Sequence, residues 1–225
     1  MDSIEVLESL KSSNSDQRWS VIVDDFLNCD SCKIVDRNPE RDTAGYKCPH
    51  CESPSEGGHQ YFPLNADILI DLMQESYLPK QTESKATKRQ IRLYQAAIVI
   101  FFCSLGEVLL NQFLEELMLK QGLSRKIQDR LFKDNLFMKQ KIERLFPALT
   151  GVKWIKAVEM LNERVNSHYI ETHKLYQHIS KVRNDFLHKG AVWSIHVRMP
   201  RQCLRHIWLL LHLFADLHNE YVASK

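Results

Sequence analysis

The fold of this 225-residue chain is decided by the apolar stretch Ala96-Ala97-Ile98-Val99-Ile100-Phe101-Phe102-Cys103-Ser104-Leu105. Its apolar side chains fall on all faces of a helix, so we expect that helix to lie at the centre of the protein or at an interface. The surrounding pattern predicts a helix from about residue 87 to residue 120 that stops at Gly122. Because Glu107 interrupts the apolar run and the run is too short to span a bilayer, we interpret it as a buried helix.

Further helical patterns follow along the chain, at about 124–134, 136–146, from 154, 166–188 and after Pro200. Outside the N-terminal third, glycine lies mostly between these patterns, which favours helix over sheet. The fold class is therefore expected to be mainly α. A polar linker at 78–86 divides the chain into an N-terminal module, residues 1–86, and an all-α domain, residues 87–225.

Charge is unevenly distributed between these two parts, although the formal net charge is only +2. Residues 1–86 carry 8 basic and 16 acidic side chains, whereas residues 87–225 carry 22 basic and 12 acidic ones. A basic domain is typical of a protein that meets a polyanion, although attraction between the two halves would also explain the asymmetry. Two of the predicted helices concentrate basic residues that could follow a phosphate backbone or form an ordinary solvated face: Lys120, Arg125, Lys126, Arg130, Lys133, Lys139, Lys141 and Arg144.

Two cysteine pairs, Cys29/Cys32 and Cys48/Cys51, have the spacing of metal ligands. Each Cys-x-x-Cys pair can turn both sulfur atoms toward one point, and four thiolates form the tetrahedral shell that zinc prefers. A redox role for Cys-x-x-Cys is the alternative, but two pairs in a turn-rich segment fit it poorly. The segment 29–62 resembles a zinc ribbon, so we expect one structural zinc ion per chain and no catalytic metal, because four ligands close the shell.

The chain is expected to be cytoplasmic and not to bind a membrane. Its N-terminus carries Asp2 and Glu5 rather than the basic and apolar start of a signal peptide. The two remaining cysteines, Cys103 and Cys203, fall inside apolar helical patterns, where a reduced thiol packs as a small hydrophobic group.

The hexapeptide Arg183-Asn184-Asp185-Phe186-Leu187-His188 ends the long helix predicted at 166–188, directly before Lys189 and Gly190. Asn184 and His188 are four residues apart and share a helix face, and the long Arg183 side chain can reach across to them. A fixed cation and an imidazole near one phosphate are the groups needed to cleave RNA without a metal. The spacing Arg-x4-His also occurs by chance at Arg201 and His206, so the pattern alone is weak.

An Arg-polar-x-x-x-His motif near the end of a long helix, with one helix after it and a long apolar helix before it, resembles the HEPN superfamily over residues 87–225. The resemblance implies a helical bundle, often a homodimer, with Arg183, Asn184 and His188 as catalytic residues and Glu107 of the first long helix joining them. A tyrosine that one toxin branch of the superfamily has two residues past the histidine is replaced here by Gly190.

The function expected from this resemblance is a metal-independent endoribonuclease that cleaves RNA by attack of the 2′-hydroxyl, acting as a toxin or antiviral defence effector. An antitoxin or another regulatory protein is a possible partner. The alternative is a non-catalytic HEPN module that binds RNA or a protein, and a third hypothesis is a zinc-dependent regulator that binds nucleic acid. The alternative without a function is that the hexapeptide is simply a helix end, with an arginine at the surface and a histidine whose hydrogen bonds are made within the protein.

Overall fold

The computed structural model describes residues 26–37, 47–54, 59–77, 88–191, 194–196 and 198–223. The polar linker predicted at 78–86 lies outside these residues. Within them the fold is mainly helical, as predicted. The helices are α1 (Leu64–Glu75), α2 (Lys88–Lys120), α3 (Arg125–Asp134), α4 (Met138–Gln140), a π-helical turn (Lys141–Leu145), α5 (Phe146–Thr150), α6 (Trp154–Arg164), α7 (Tyr169–Lys189) and α8 (Met199–Tyr221).

The central helix is α2, as its all-round apolar middle predicts. It contacts α1, α7 and α8. Its side chains that are at most 1% exposed include Phe102, Leu105, Leu109, Leu110, Phe113 and Leu114. By length and composition, residues Gln90–Lys120 would suffice to cross a membrane, but half of the most apolar window is buried inside the protein. The apolar faces of α2 are thus largely covered by neighbouring helices.

Three short antiparallel strands precede the helices, in the order β2-β1-β3: β1 is Phe26–Asn28, β2 is Val35–Arg37 and β3 is His59–Gln60. Phe26 of β1 packs into the helical core, with its ring 5.0 Å from Phe62 and 5.9 Å from Trp208. Helix α1 packs along α2. Residues on both sides of the predicted boundary at 86/87 therefore contribute to one buried cluster.

Two consecutive side chains at the end of α8 bind the first residue of β2 and the loop before it. The amide of Asn219 pairs with both the N–H and the C=O of Val35, each at 2.7 Å, and so replaces a neighbouring strand. The imidazole of buried His218 contacts the carbonyl oxygen of Lys33 at 2.8 Å and the Glu116 carboxylate at 2.7 Å. The Tyr61 hydroxyl donates to the same carboxylate at 3.0 Å. This polar network joins the loop to α2 and α8.

The π-helical turn Lys141–Leu145 explains why the helix predicted at 136–146 does not stop before Pro147. That predicted end is wrong, since the chain continues as α5 to Thr150. In a regular α-helix, Pro147 would clash with the carbonyl four residues earlier. Here the N–H of Phe146 bonds instead to the carbonyl of Lys141, five residues back, so the wider turn lies directly before the proline.

Gly106 allows α7 to approach α2 closely, because a Cβ atom at this position would collide with the ring of Tyr176. We expect Gly106→Ala to lower the free energy of unfolding by about 1–3 kcal/mol through overpacking. Alanine's helix propensity, better by about 1 kcal/mol, offsets only part of this. Chemical denaturation measures this change. The destabilisation caused by Gly106→Ala should be smaller in a Tyr176→Leu background, because the ring is absent there. A Gly106→Ala chain more stable than wild type would contradict the close approach.

Candidate functional site

The contact between α7 and α2 positions the predicted Arg183. Tyr176, Ser180 and Arg183 follow one another at helical spacing and face α2. The Tyr176 hydroxyl donates to the carbonyl oxygen of Cys103 at 2.9 Å, and the Cys103 sulfur lies 3.8 Å from the Ser180 hydroxyl. Arg183 continues this row two turns after Tyr176. The contacts at Cys103 and Gly106 therefore bring Arg183 to Glu107, which lies one turn after Cys103 on α2.

Arg183 and Glu107 form an ion pair in which Nη2 of the guanidinium donates to Oε1 of the carboxylate. The Arg183 side chain is 21% exposed and that of Glu107 is 44% exposed. Burial opposes the charge of Arg183, but Glu107 and the neighbouring Cys103 outweigh it and raise the pKa of Arg183. The arginine is thus a permanent cation. Its Nε is buried and has no hydrogen-bond partner among the described residues.

Lys141 reaches the same place from the π-helical turn. Its Nζ donates to Oδ1 of Asn111 at 2.7 Å, and Asn111 follows Glu107 by one turn of α2. Burial lowers the pKa of Lys141, whereas the Glu107 carboxylate acts in the opposite direction. The sequence does not distinguish Lys141 from the other lysines of its region. Asn111 could have been found from its spacing of four residues from Glu107.

Asn184 and His188 lie on the solvent side of α7, and both are exposed. His188 follows Arg183 by five residues, which places it about 140° round the helix and about 7.5 Å along it. Neither side chain forms a hydrogen bond or ion pair with any residue that the structure describes. The structure therefore brings together Arg183 and Glu107 and leaves Asn184 and His188 on another face.

His206, the histidine of the second Arg-x4-His match, packs between two helices. The His206 Nδ1 lies 2.9 Å from the Thr172 hydroxyl, in the contact between α7 and α8. Arg201 is exposed at the start of α8. His206 is therefore part of the helix packing, unlike the exposed His188.

The four paired cysteines lie together in two turns of matching geometry. In the first turn, the N–H of Lys33 bonds to the carbonyl of Cys29 at 2.8 Å and the N–H of Cys29 to the carbonyl of Ile34 at 3.0 Å. The second turn repeats both bonds at the same lengths, from Glu52 to Cys48 and from Cys48 to Ser53. Lys33 and Glu52 also share the left-handed backbone conformation, with φ of 60° and 58°.

The cysteine sulfurs fit one metal ion. The Sγ atoms of Cys29 and Cys51 are 3.7 Å apart, and those of Cys32 and Cys48 are 3.8 Å apart. All four lie within 4.8 Å of one another, and none is in a disulfide. Four sulfurs about 2.3 Å from a central ion would be separated by about 3.8 Å in a tetrahedron. The cluster can therefore bind a metal ion such as zinc.

The pKa values of the clustered thiols explain why a bound cation would stabilise them. Hydrogen bonds from the side chain and backbone of Ser53 lower the pKa of Cys51 to about 6. Burial, with the neighbouring thiols adding to it, raises the pKa of Cys32 to about 12. Four clustered thiols cannot all ionise without a compensating positive charge, which a bound metal supplies. His50 Nε2 lies 3.9 Å from the Asp36 carboxylate, so it has another partner available.

No protein-family model matches the sequence, and neither the curated proteins nor the solved structures contain a match to it.

We expect the metal-free chain to bind one divalent ion through these four thiolates. Titration with Co²⁺ should saturate at about one ion per chain and produce the absorption of tetrahedral thiolate coordination. Cys51→Ser should weaken binding by at least about a hundredfold, a loss that removal of an outer-shell partner can already cause. Cys203→Ala, a cysteine buried in α8, is the matched control and should leave the stoichiometry unchanged. Equal cobalt affinity of both variants would contradict the four-cysteine site.

Proposed function

We propose that the chain is a metal-independent endoribonuclease of the HEPN type, with Arg183, Asn184 and His188 as its catalytic residues. The observation that carries the proposal is Arg183, a permanent cation held by Glu107 and retaining a buried donor without a partner among the described residues. The exposed imidazole of His188 lies in the last turn of the same helix. Beyond the resemblance stated above, the basic character of residues 87–225 supports a polyanionic substrate.

The proposed reaction needs one proton transfer at each end of the scissile phosphodiester. His188 accepts the proton of the ribose 2′-hydroxyl as its oxygen attacks the phosphorus, and water then protonates the leaving 5′-oxygen as the P–O5′ bond breaks. In the alternative assignment, the His188 imidazolium protonates the 5′-oxygen and water accepts the proton of the 2′-hydroxyl. Arg183 stabilises the additional negative charge of the pentavalent phosphate. Asn184 orients His188 or the phosphate, and Glu107 holds Arg183. The products are a 2′,3′-cyclic phosphate and a 5′-hydroxyl end.

A homodimer would explain why His188 faces away from Arg183 within one chain. Leu187, between the two predicted site residues Asn184 and His188 on the outer side of α7, is 49% exposed. Pairing of two copies through this face would bury Leu187 and bring His188 of one copy toward Arg183 of the other. We propose such a dimer as the active form.

Zinc is proposed as the ion of the four-cysteine cluster, with a structural role in a zinc-ribbon module. Four thiolates close its coordination shell, so no position remains for a substrate. The polar contacts from Lys33 and Val35 to α8 suggest that the ion fixes the loop that docks there. The cytoplasm, where thiols stay reduced, suits this cluster. A toxin or antiviral defence role, controlled by an antitoxin or other regulatory protein, is proposed from the HEPN resemblance alone.

The second candidate function is a non-catalytic HEPN module that binds RNA or a protein. It is favoured by the ion pair, because the charge of Arg183 is already balanced by Glu107. Such a protein would bind RNA with a salt-dependent affinity but leave it intact, or would not bind it at all.

Cleavage should survive removal of divalent metal and depend on both predicted residues. In EDTA, the wild-type chain should cut single-stranded RNA, leave cyclic phosphate ends and spare DNA of the same sequence, which lacks the 2′-hydroxyl. Arg183→Ala or His188→Ala should each lower the rate on the order of a hundredfold or more. The matched controls are Arg201→Ala and His178→Ala, both at exposed helical positions, and they should retain the rate. Equal cleavage by wild type and His188→Ala would refute the assignment.

A site shared between two copies makes a distinct prediction for mixed subunits. Arg183→Ala and His188→Ala chains, inactive alone, should recover activity when mixed, because one of the two sites in a mixed dimer has both native residues. Leu187→Glu should shift the full chain from dimer to monomer in analytical ultracentrifugation at micromolar concentration and abolish the recovery. Leu119→Glu, at another exposed leucine, is the control. A wild-type chain that sediments only as a monomer would contradict the dimer.

A further inference from the structure

The carboxylate of Glu107 interacts with cationic side chains from two other elements, α7 and the π-helical turn. Arg183 of α7 donates to it, and Asn111 follows it on α2. The charge of Lys141, from the π-helical turn, interacts with it. Two cations thus act on one carboxylate, so the three side chains together carry a net positive charge even with the ion pair formed.

Glu107 is the member of this group that can leave. Its side chain is 44% exposed, about twice the exposure of the Arg183 side chain. Half-exposed ion pairs are weak, because water competes for both charges. Arg183, in contrast, is only 21% exposed, and the Lys141 ammonium donates to Asn111 at 2.7 Å. The carboxylate is therefore the group that an incoming anion can replace.

A phosphate group matches the position that Glu107 occupies. Carboxylate and phosphate oxygens accept hydrogen bonds from a guanidinium in the same forked geometry, and a phosphodiester offers two unesterified oxygens for two cations. We propose that Arg183 and Lys141, supported by Asn111, form a binding site for one phosphate of RNA, and that Glu107 fills this site in the free protein. The inference rests on the proposed function for its choice of RNA as the phosphate source. It assigns Glu107 as an internal competitor of the substrate and Lys141 as a second phosphate ligand.

Binding of an RNA analogue that cannot be cleaved tests this inference. The probe is a fluorescein-labelled decamer of 2′-O-methyluridine, which lacks the attacking hydroxyl, and binding is followed by fluorescence anisotropy. Glu107→Gln keeps the size of the side chain and removes its charge, so the affinity should rise about fivefold to tenfold. Lys141→Gln should lower the affinity several-fold in both the native and the Glu107→Gln background. It should also reduce the slope of log affinity against log salt by about one, as expected for one lost phosphate contact.

Two controls separate this site from a general change of charge. Asp185→Asn removes one negative charge two residues from Arg183, but this carboxylate pairs with Lys189 at 2.6 Å on the exposed side of α7. Lys139→Gln removes a lysine two residues before Lys141. The partner of Lys139 is the exposed Glu143. Each control should change the affinity by less than about twofold. Thermal unfolding of every variant checks that the fold is kept.

The outcomes distinguish this inference from the proposed function. If Glu107→Gln binds the probe no more tightly than wild type, or no more tightly than Asp185→Asn, the inference is overturned even where RNA cleavage is observed. If Lys141→Gln and Lys139→Gln weaken binding equally, Lys141 is not a ligand and the site as proposed is wrong. If wild type does not cleave RNA but Glu107→Gln still binds the probe more tightly, the phosphate site stands and the nuclease assignment falls.

Discussion

The structure depends on covering the middle of α2. A helix that is apolar on all faces cannot rest on a single neighbour, and each fully buried leucine or phenylalanine contributes about 1.5–3 kcal/mol when it leaves water. Helices α1, α7 and α8 supply this cover. Their arrangement around α2 is therefore the main constraint on the fold, and the short strands and the cysteine turns are added at one end of it.

The same constraint explains where the ion pair of Arg183 and Glu107 forms. Gly106 is the point on α2 where α7 comes closest, because the Tyr176 ring occupies the space that a Cβ atom would need. Seven residues later on α7, Arg183 reaches Glu107, the first charged residue after the apolar run. The position of this ion pair is thus a consequence of helix packing: the apolar contact sets the register, and Glu107 is the first charged residue after it.

The sequence predicted those parts of the structure that follow from local periodicity. These are the bounds of α2, α3 and α7 to within a few residues. The proximity of the four cysteines was predicted from their paired spacing, and the contact of Glu107 with Arg183 was expected only from the HEPN resemblance. The sequence did not predict the π-helical turn, since a proline inside a helix is ordinarily interpreted as the helix end. Nor could it show that the Asn219 amide completes the pairing of Val35, because these residues are 184 positions apart. The placement of His188 away from Arg183 follows from their spacing of five, and the proposed dimer is what would bring the two residues together.

A partly buried arginine is stabilised by a nearby anion, and this links the stability of the ion pair to the proposed chemistry. Without Glu107, the Arg183 guanidinium would be held against α2 with its Nε buried and its charge unbalanced, which is costly in a partly desolvated site. Glu107 removes that cost in the free protein. A substrate phosphate can take over the same role only if it offers at least as good a set of acceptors, and a phosphodiester does so for both Arg183 and Lys141. In the proposed phosphate site, Glu107, which balances the charge of Arg183 in the free protein, is therefore the residue that the substrate displaces.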